Sequence, residues 1–290
     1  MKTFFSPAKI NLLLNIHHKR DDGYHDLSSV IVGLDFGDLI TIEITSGSKD
    51  ILLCDDHNIP CDEQNLILKG MNLLRNEIKI EDHFKFTLNK RIPSQAGFGG
   101  GSSNATTAIN AILSLIKKDI PEKKLYRVLS QIGADCCFFH NPIPSIMTGI
   151  GDCIKPLDST VCESLKGQKV LIYKPNFSIS TSNAYHRLKE SNFINKALTL
   201  EKIDSFSKSL DCKQLMINSF NENLQDKYIA LRTVLKTLND HDIPSMISGS
   251  GSGCFSLLSK GNANNQHNFV KDCVRDAFGE NAFFEEAHIL

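Results

Sequence analysis

The glycine-rich segment PSQAGFGGGSS, residues 93–103, constrains the fold more than any other part of this sequence. It holds four of the chain's 18 glycines, and three of them are consecutive. Glycine loses more conformational entropy on folding than any other residue, so a cluster of glycines needs a structural reason. A hinge, a tight packing corner and a cradle for an anion are the three candidate reasons.

A helix is predicted directly after this segment, because apolar residues recur there with the spacing of one helical face: Ala105, Ala108, Ile109, Ile112, Leu113 and Ile116. We expect Ser102, Ser103 or Asn104 to cap its start. The N-terminus of a helix offers unpaired backbone N–H groups and the positive end of the helix dipole. Bare glycine next to it would let a polyphosphate come close.

The segment matches neither of the two common phosphate-binding motifs. No lysine follows the glycines, so it is not a P-loop, and Ser102 stands where the third glycine of a dinucleotide-binding fingerprint would be. A structural loop that packs closely against a sheet is therefore the alternative to phosphate binding.

Composition narrows the class of protein. The 290 residues suffice for one large domain or two ordinary ones, and 41% hydrophobic residues can form a sizeable core. A formal net charge of -1 argues against a general nucleic-acid binder. Nine scattered cysteines without a C-x-x-C pair favour a reducing cytoplasm over a disulfide framework or a zinc site. We find no signal peptide and no apolar run long enough to span a membrane.

Strands and helices are mixed without regular alternation, which predicts an α+β fold rather than a doubly wound sheet. Strands are expected at 38–46 and 83–90, where apolar and polar residues alternate. Between them, residues 65–78 read as a helix with four residues inward: Leu66, Leu73, Leu74 and Ile78. A second helix is expected at 121–132, and the loop-rich span 156–167 is a plausible linker between two domains.

Four further motifs are ambiguous when each is taken alone. Lys9 interrupts an apolar strand, and either projects into a cleft or reaches along the strand edge to water. Asp135 is either a turn residue or a catalytic base. Tyr24 and His25 follow an Asp-Gly turn, and either recognise a nucleobase or simply pack. The run 248–255, SGSGSGCF, is either a hairpin turn or a second glycine wall.

The order of these motifs resembles that of the GHMP small-molecule kinases, from residue 6 to about residue 258. The stretches that carry the resemblance are SPAKINLLLNI, DGYH, IPSQAGFGGGSSNA, GAD and SGSGSGCF. PAKIN together with DGYH is most similar to the diphosphocytidyl branch of this family. The resemblance implies an α+β kinase with two domains. The N-terminal domain, 1–158, would bind ATP and carry the catalytic residues, and the C-terminal domain would be 159–290. The active site would lie in the cleft between them.

The resemblance also implies roles for individual residues. Lys9 and Asp135 would form the catalytic pair, and Ser103 would contribute to a Mg²⁺ site. The residues around ATP would be Asn65, Leu66, Pro93, Ser94, Gln95, Ala96, Gly97, Phe98, Gly99, Gly100, Gly101, Ser102 and Ser103. The residues around the second substrate would be Asn11, Tyr24, His25, Thr181 and Tyr185.

The implied reaction is ATP- and Mg²⁺-dependent phosphorylation of the 2-hydroxyl of a methylerythritol that carries a cytidine diphosphate group, in non-mevalonate isoprenoid synthesis. The protein would be a cytoplasmic monomer or homodimer without nucleic-acid or membrane partners. A homoserine or mevalonate kinase, or a non-catalytic binding protein on this fold, is the alternative. Two departures from the family pattern stand out: Cys136-Cys137 replaces a common Val-Pro, and Phe98 replaces a common Leu.

Overall fold

The first two strands are unusually long, and each contributes to both of the units into which the chain divides. Strand β1 is Lys2–Lys19 and strand β2 is His25–Thr45. The computed structural model describes all residues, 1–290. The first unit consists of residues 1–8, 36–92 and 99–142, and the second of residues 9–35, 93–98 and 143–290. Both units are thus discontinuous along the chain, and the expected boundary at residue 158 stays a prediction.

The strands of the first unit form the pattern that the alternating residues predict. The second half of β2 pairs antiparallel with β4, His83–Asn89, and β3, Ile51–Cys54, runs parallel to β4. Ile42 lies opposite Phe86, and both side chains are almost fully buried. The predicted strand at 83–90 is therefore confirmed to within a residue at its ends. The predicted strand at 38–46 is confirmed as strand, but it is the second half of β2, which already begins at His25.

Four helices complete the first unit: α1 Leu66–Glu77, α2 Gly100–Leu115, α3 Glu122–Ile132 and α4 Cys136–His140. The predicted inward face of α2 is largely confirmed, since Ala105, Ala108, Ile109 and Ile112 are buried. Of the predicted face of α1, only Leu74 is confirmed as buried; Leu66, Leu73 and Ile78 are half-buried, and the helix buries Ile67, Leu68 and Met71 in their place. The reason is Gly70: a Cβ there would lie 3.0 Å from Ile132 and 3.2 Å from Ile109, so α1 turns its glycine toward the neighbouring helices.

The second unit contains two groups of strands. In the first, β5 (Ser145–Gly149) pairs antiparallel with β2 and with β6 (Cys153–Pro156), while β8 (Ile217–Asn218) runs parallel to β1. The second group is a four-stranded antiparallel sheet in the order β11-β7-β10-β9. Its strands are β7 Lys169–Lys174, β9 Ser245–Ile247, β10 Cys254–Leu257 and β11 Phe283–His288.

The helices of the second unit are α5 Ser159–Leu165, α6 Thr181–His186, α7 Lys196–Ser209, α8 Asn221–Lys227, α9 Ile229–Asp240 and α10 Ala263–Phe278. Helix α5 occupies the span that the sequence suggests as a linker, because Val161 and Leu165 are buried and order it. None of the helices combines the length and apolar character needed to cross a membrane. The α+β class is confirmed.

Candidate active site

Helix α2 begins inside the run of three glycines. Gly99 occupies the N-cap position in the left-handed conformation, with φ 73° and ψ 13°, and no side chain caps the helix. The expected cap by Ser102, Ser103 or Asn104 is wrong, because those residues already lie within the helix. A left-handed N-cap favours glycine, which has no Cβ to clash there.

On its exposed side, the first turn of α2 is backbone that no side chain covers. Gly101 is exposed, and a Cβ built on it would meet only a methyl group of Leu66, at 3.4 Å. The N–H groups of a first helical turn have no partners within the helix, and here no side chain replaces them. This is the environment in which a helix N-terminus binds an anion.

Gly97, which precedes this turn in the chain, and Gly253, in the run 248–255, have a different role. Gly97 has φ 76°, and a Cβ on it would lie 2.1 Å from the carbonyl oxygen of Ser248. A Cβ on Gly253 would lie 2.4 Å from the carbonyl oxygen of Ala96. Backbone hydrogen bonds from Gly253 to Ala96 (3.0 Å) and from Ser252 to Gln95 (3.3 Å) join the two runs. The packing-corner alternative thus holds for residues 95–97.

Asp135 stands at the start of α4, in the same unit as α2. The thiol of Cys136 lies 3.7 Å from the carbonyl oxygen of Ser102, and Thr106 Oγ1 donates to the carbonyl of Cys136 at 3.0 Å. These contacts fix the chain around Asp135 beside the first turns of α2. Burial raises the pKa of Cys136 to about 11, so this thiol stays protonated and packs as a small apolar group.

Asn65 and Leu66 lie at the start of α1. The side chain of Asn65 caps this helix, accepting from Ile67 N at 2.9 Å and donating to Pro60 O at 2.8 Å. Leu66 borders the open turn of α2 through its contact with the Gly101 position. The structure therefore brings Leu66 next to the predicted phosphate-binding turn, and it gives Asn65 a capping role that the sequence analysis did not assign.

Lys9 lies in the second unit and is only 4% exposed, so it does not reach along the strand edge to water. Its Nζ donates to Asn11 Oδ1 at 2.6 Å, and Asn11 Nδ2 donates to Ser29 Oγ at 2.8 Å. The two residues are neighbours because side chains two apart on a strand share a face. The Asn11 amide lies beside the second glycine run, 3.5 Å from where a Cβ of Gly249 would be.

Two aromatic residues, Tyr185 and Phe193, lie around His25 in the second unit, and we call them the aromatic group. The rings of His25 and Tyr185 are 5.0 Å apart, and Phe193 approaches the same imidazole edge-on at 6.1 Å. Tyr185 in turn contacts Phe220 at 4.9 Å. Tyr24, which follows the predicted turn, is 61% exposed. Sequence reasoning missed Phe193, which belongs to no recognisable motif and comes close only through the fold.

Burial is the main cause that lowers the pKa of His25, and Coulombic interactions with Lys19 and His18 lower it further. The imidazole is therefore neutral at pH 7, with one nitrogen that donates and one that accepts a hydrogen bond. Thr181 begins α6, and its hydroxyl lies 3.1 Å from that of Ser250 in the second glycine run. This run is the turn between β9 and β10, so the hairpin-turn interpretation is confirmed.

The sequence is similar to a known family of kinases and to individual members of it. Residues 65–147 match the family model of the GHMP kinases N terminal domain. Relatives from Protochlamydia amoebophila and Methylacidiphilum infernorum are both named 4-diphosphocytidyl-2-C-methyl-D-erythritol kinase. The first is 37% identical over 87% of this chain and 83% of its own length, and the second is 32% identical over 94% and 90%.

Solved structures share the fold. A crystal structure of 4-(cytidine 5'-diphospho)-2C-methyl-D-erythritol kinase aligns over 99% of both chains with a TM-score of 0.78, at 23% identity. A homoserine kinase from Cytophaga hutchinsonii aligns over 99% of this chain and 94% of its own with a TM-score of 0.71, at 15% identity. The chain belongs to the GHMP kinase family, and it is an ATP-dependent small-molecule kinase.

Proposed function

We propose that this protein transfers the γ-phosphoryl group of ATP to the 2-hydroxyl of 4-diphosphocytidyl-2-C-methyl-D-erythritol, a step of non-mevalonate isoprenoid synthesis. The names of its relatives support this substrate. The observation that carries the proposal is the aromatic group of Tyr185 and Phe193 around a neutral His25, next to an exposed Tyr24. Kinases of homoserine or mevalonate act on acceptors without a nucleobase and need no such group.

On the ATP side, we propose that the phosphates bind at the open first turn of α2, with Gly99, Gly100, Gly101 and Ser102 around them. The residues before this turn would follow the nucleotide with their backbone: Pro93, Ser94, Gln95, Ala96, Gly97 and Phe98. Leu66 borders the same turn and supports the placement of adenine beside Asn65 and Leu66. No side chain covers the N–H groups of the turn, which leaves them for phosphate oxygens.

On the acceptor side, we propose that cytosine stacks between Tyr24 and Tyr185, while His25 hydrogen-bonds to its edge. Stacking is tolerant of the base, so discrimination would come from the donor and acceptor nitrogens of His25. Asn11 would lie near the reacting hydroxyl, next to the proposed catalytic Lys9, and its amide is held in one orientation by Lys9 and Ser29. Thr181 would contact the acceptor from the start of α6.

Chemistry at the reacting centre needs alignment and neutralisation of charge, because phosphoryl transfer passes through a loose transition state. We propose that Asp135 orients the acceptor hydroxyl and takes its proton late in the reaction. The buried ammonium of Lys9 would share the charge that develops on the transferred group.

Mg²⁺ favours oxygen ligands, usually one or two carboxylates together with phosphate oxygens. The half-buried Asp135 and Ser102 fit this preference. Ser103, the ligand expected from the sequence, is fully buried, and its hydroxyl lies 2.8 Å from that of Ser6. We therefore propose Asp135 and Ser102 ahead of Ser103 as ligands; a bound ion would neutralise charge on the phosphates.

A substrate panel tests the proposal. ADP release should be fast with 4-diphosphocytidyl-2-C-methyl-D-erythritol and at background with homoserine and mevalonate. Activity with either of the last two and none with the first would refute the substrate. Absence of turnover with all three would favour a non-catalytic binding protein.

Three variants test the roles within that reaction. Asp135→Asn and Lys9→Ala should each lower kcat about a hundredfold or more while ATP still binds. Tyr24→Ala should raise KM for the cytidine substrate far more than KM for ATP. Near-normal kcat in the first two, or equal KM effects in the third, would show that the roles are misassigned.

We also propose that the protein works in a reducing compartment such as the cytoplasm. All nine cysteines are free thiols. Burial raises the pKa of several of them, including Cys54, Cys162 and Cys212, which keeps them protonated and unreactive.

A further inference from the structure

Asp38 is a fully buried carboxylate, at 0% exposure, that the proposed mechanism does not use. Its Oδ1 accepts the backbone N–H groups of Arg91 (2.7 Å) and Ile92 (2.8 Å). Its Oδ2 accepts from Lys90 Nζ (2.5 Å) and from Asn104 Nδ2 (2.8 Å). A buried charge with four donors is both neutralised and held in one orientation.

The four donors have a common feature, which is their position in the sequence. Lys90, Arg91 and Ile92 come immediately before the glycine-rich segment, and Asn104 comes immediately after it. One carboxylate therefore fixes the chain at both flanks of the segment proposed to bind phosphates. A glycine-rich segment with free flanks would lose much conformational entropy on binding, and fixing its flanks lowers that cost.

The network continues from Asn104 to the start of α2. Lys90 can only donate and the carboxylate can only accept, so the Asn104 amide must face Lys90 with Oδ1, at 3.3 Å, and Asp38 with Nδ2. The second hydrogen of Nδ2 then goes to Ser6 Oγ at 2.9 Å. Ser6 Oγ lies 2.8 Å from Ser103 Oγ, and all of these side chains are buried. The orientation of the Ser103 hydroxyl is thus linked to the charge of Asp38.

A second buried carboxylate in the same unit provides a comparison. Asp50 accepts from Arg75 Nη2 (2.9 Å) and from the backbone N–H of Phe84 (2.9 Å), and its side chain is 10% exposed. It joins α1 to β4 and has no hydrogen bond to either flank of the glycine-rich segment. Asp38 and Asp50 therefore have the same chemistry and a similar burial, but only Asp38 is attached to that segment.

We infer that Asp38 is a positioning residue for ATP, which pre-orders the phosphate-binding turn by fixing residues 90–92 and Asn104. This inference rests on the proposed role of the glycine-rich segment in ATP binding. It assigns Asp38 no contact with the nucleotide. Its expected effect is on the affinity for ATP and not on the acceptor, because the partners of Asp38 all flank the glycine-rich segment.

The test compares Asp38→Asn with the matched control Asp50→Asn in the full chain. Both variants should lower Tm, since each leaves a cation without its carboxylate. Binding of a non-hydrolysable ATP analogue, measured by calorimetry, should weaken about tenfold in Asp38→Asn and less than twofold in Asp50→Asn. KM for the acceptor should stay within twofold in both.

Equal Kd values for the analogue in the two variants would overturn the inference. If Asp38→Asn does not fold, Asn104→Ala decides the question. It removes the link from Asp38 to α2 but leaves the bonds of Asp38 to residues 90–92, and it should weaken binding about threefold. An unchanged Kd in Asn104→Ala would then overturn it. Failure of the proposed function is distinguishable, since in that case the unmodified protein itself would not bind the ATP analogue.

Discussion

Gly97 and Gly101 are four residues apart in the same glycine-rich segment, yet they are glycine for opposite reasons. At Gly97 a Cβ would lie 2.1 Å from a carbonyl oxygen, so glycine is required by close packing. At Gly101 a Cβ would touch one methyl group at 3.4 Å, so nothing in the protein itself excludes a side chain. Glycine content alone therefore does not reveal a binding site; the space beside each glycine separates packing from access for a ligand.

The largest effect that sharpens this comparison is expected for Gly97→Ala. The substitution places a Cβ against Ser248 and forces alanine to φ 76°. We expect a loss of about 3 kcal/mol in the free energy of unfolding, measured with urea. The control is Gly167→Ala, which has φ 72° and nothing within 4 Å, and should lose only about 1 kcal/mol. Equal losses would mean that the backbone conformation, and not close packing, requires Gly97.

A smaller loss is expected for Gly253→Ala, on the other side of the same packing corner. Its Cβ would lie 2.4 Å from the Ala96 carbonyl oxygen and 2.5 Å from the ring of Phe98, which can shift in part. We expect a loss of about 2 kcal/mol in the same measurement. Gly47→Ala, whose nearest neighbour is 3.5 Å away, should change stability by less than about 0.5 kcal/mol. A stable Gly253→Ala variant would show that the two runs do not depend on this contact.

The smallest effect is expected for Ser248→Ala. The hydroxyl of Ser248 donates to the carbonyl of Gly97 at 3.1 Å, and its loss leaves that carbonyl with one partner fewer. We expect about 1 kcal/mol of destabilisation in thermal unfolding. ATP affinity should hardly change, because this bond belongs to the packing corner. A large loss of affinity with unchanged Tm would show that packing and binding cannot be separated in this way.

The sequence predicts much of the fold because periodicity is a local signal. The buried face of α2 follows from Ala105, Ala108, Ile109 and Ile112, and the alternation of β4 follows from Phe84, Phe86 and Leu88. The face of α1 could not be obtained in this way. Its orientation depends on Gly70, which admits Ile109 and Ile132 from helices far along the chain.

The candidate site is predictable only where a motif marks it. Lys9 and Asn11 are two residues apart, so their side chains lie on the same face of the strand. The hydrogen bond between these two side chains could therefore have been inferred from the sequence. The residue at which α2 starts could not be inferred, because capping preferences favour Ser102 and Asn104 over a left-handed Gly99. Phe193 and Asp38 carry no motif, and only long-range pairing in the fold brings them to His25 and to the glycine-rich segment.

Gly101→Ala tests the central claim most directly, because it adds one methyl group to the turn proposed to hold the ATP phosphates. Alanine is a better helix former than glycine by up to about 1 kcal/mol, so Tm should stay the same or rise. Calorimetry with a non-hydrolysable ATP analogue should show Kd raised about tenfold, since the methyl group occupies the path of the phosphates. An unchanged Kd at an unchanged Tm would contradict the claim that this open turn is the phosphate-binding site.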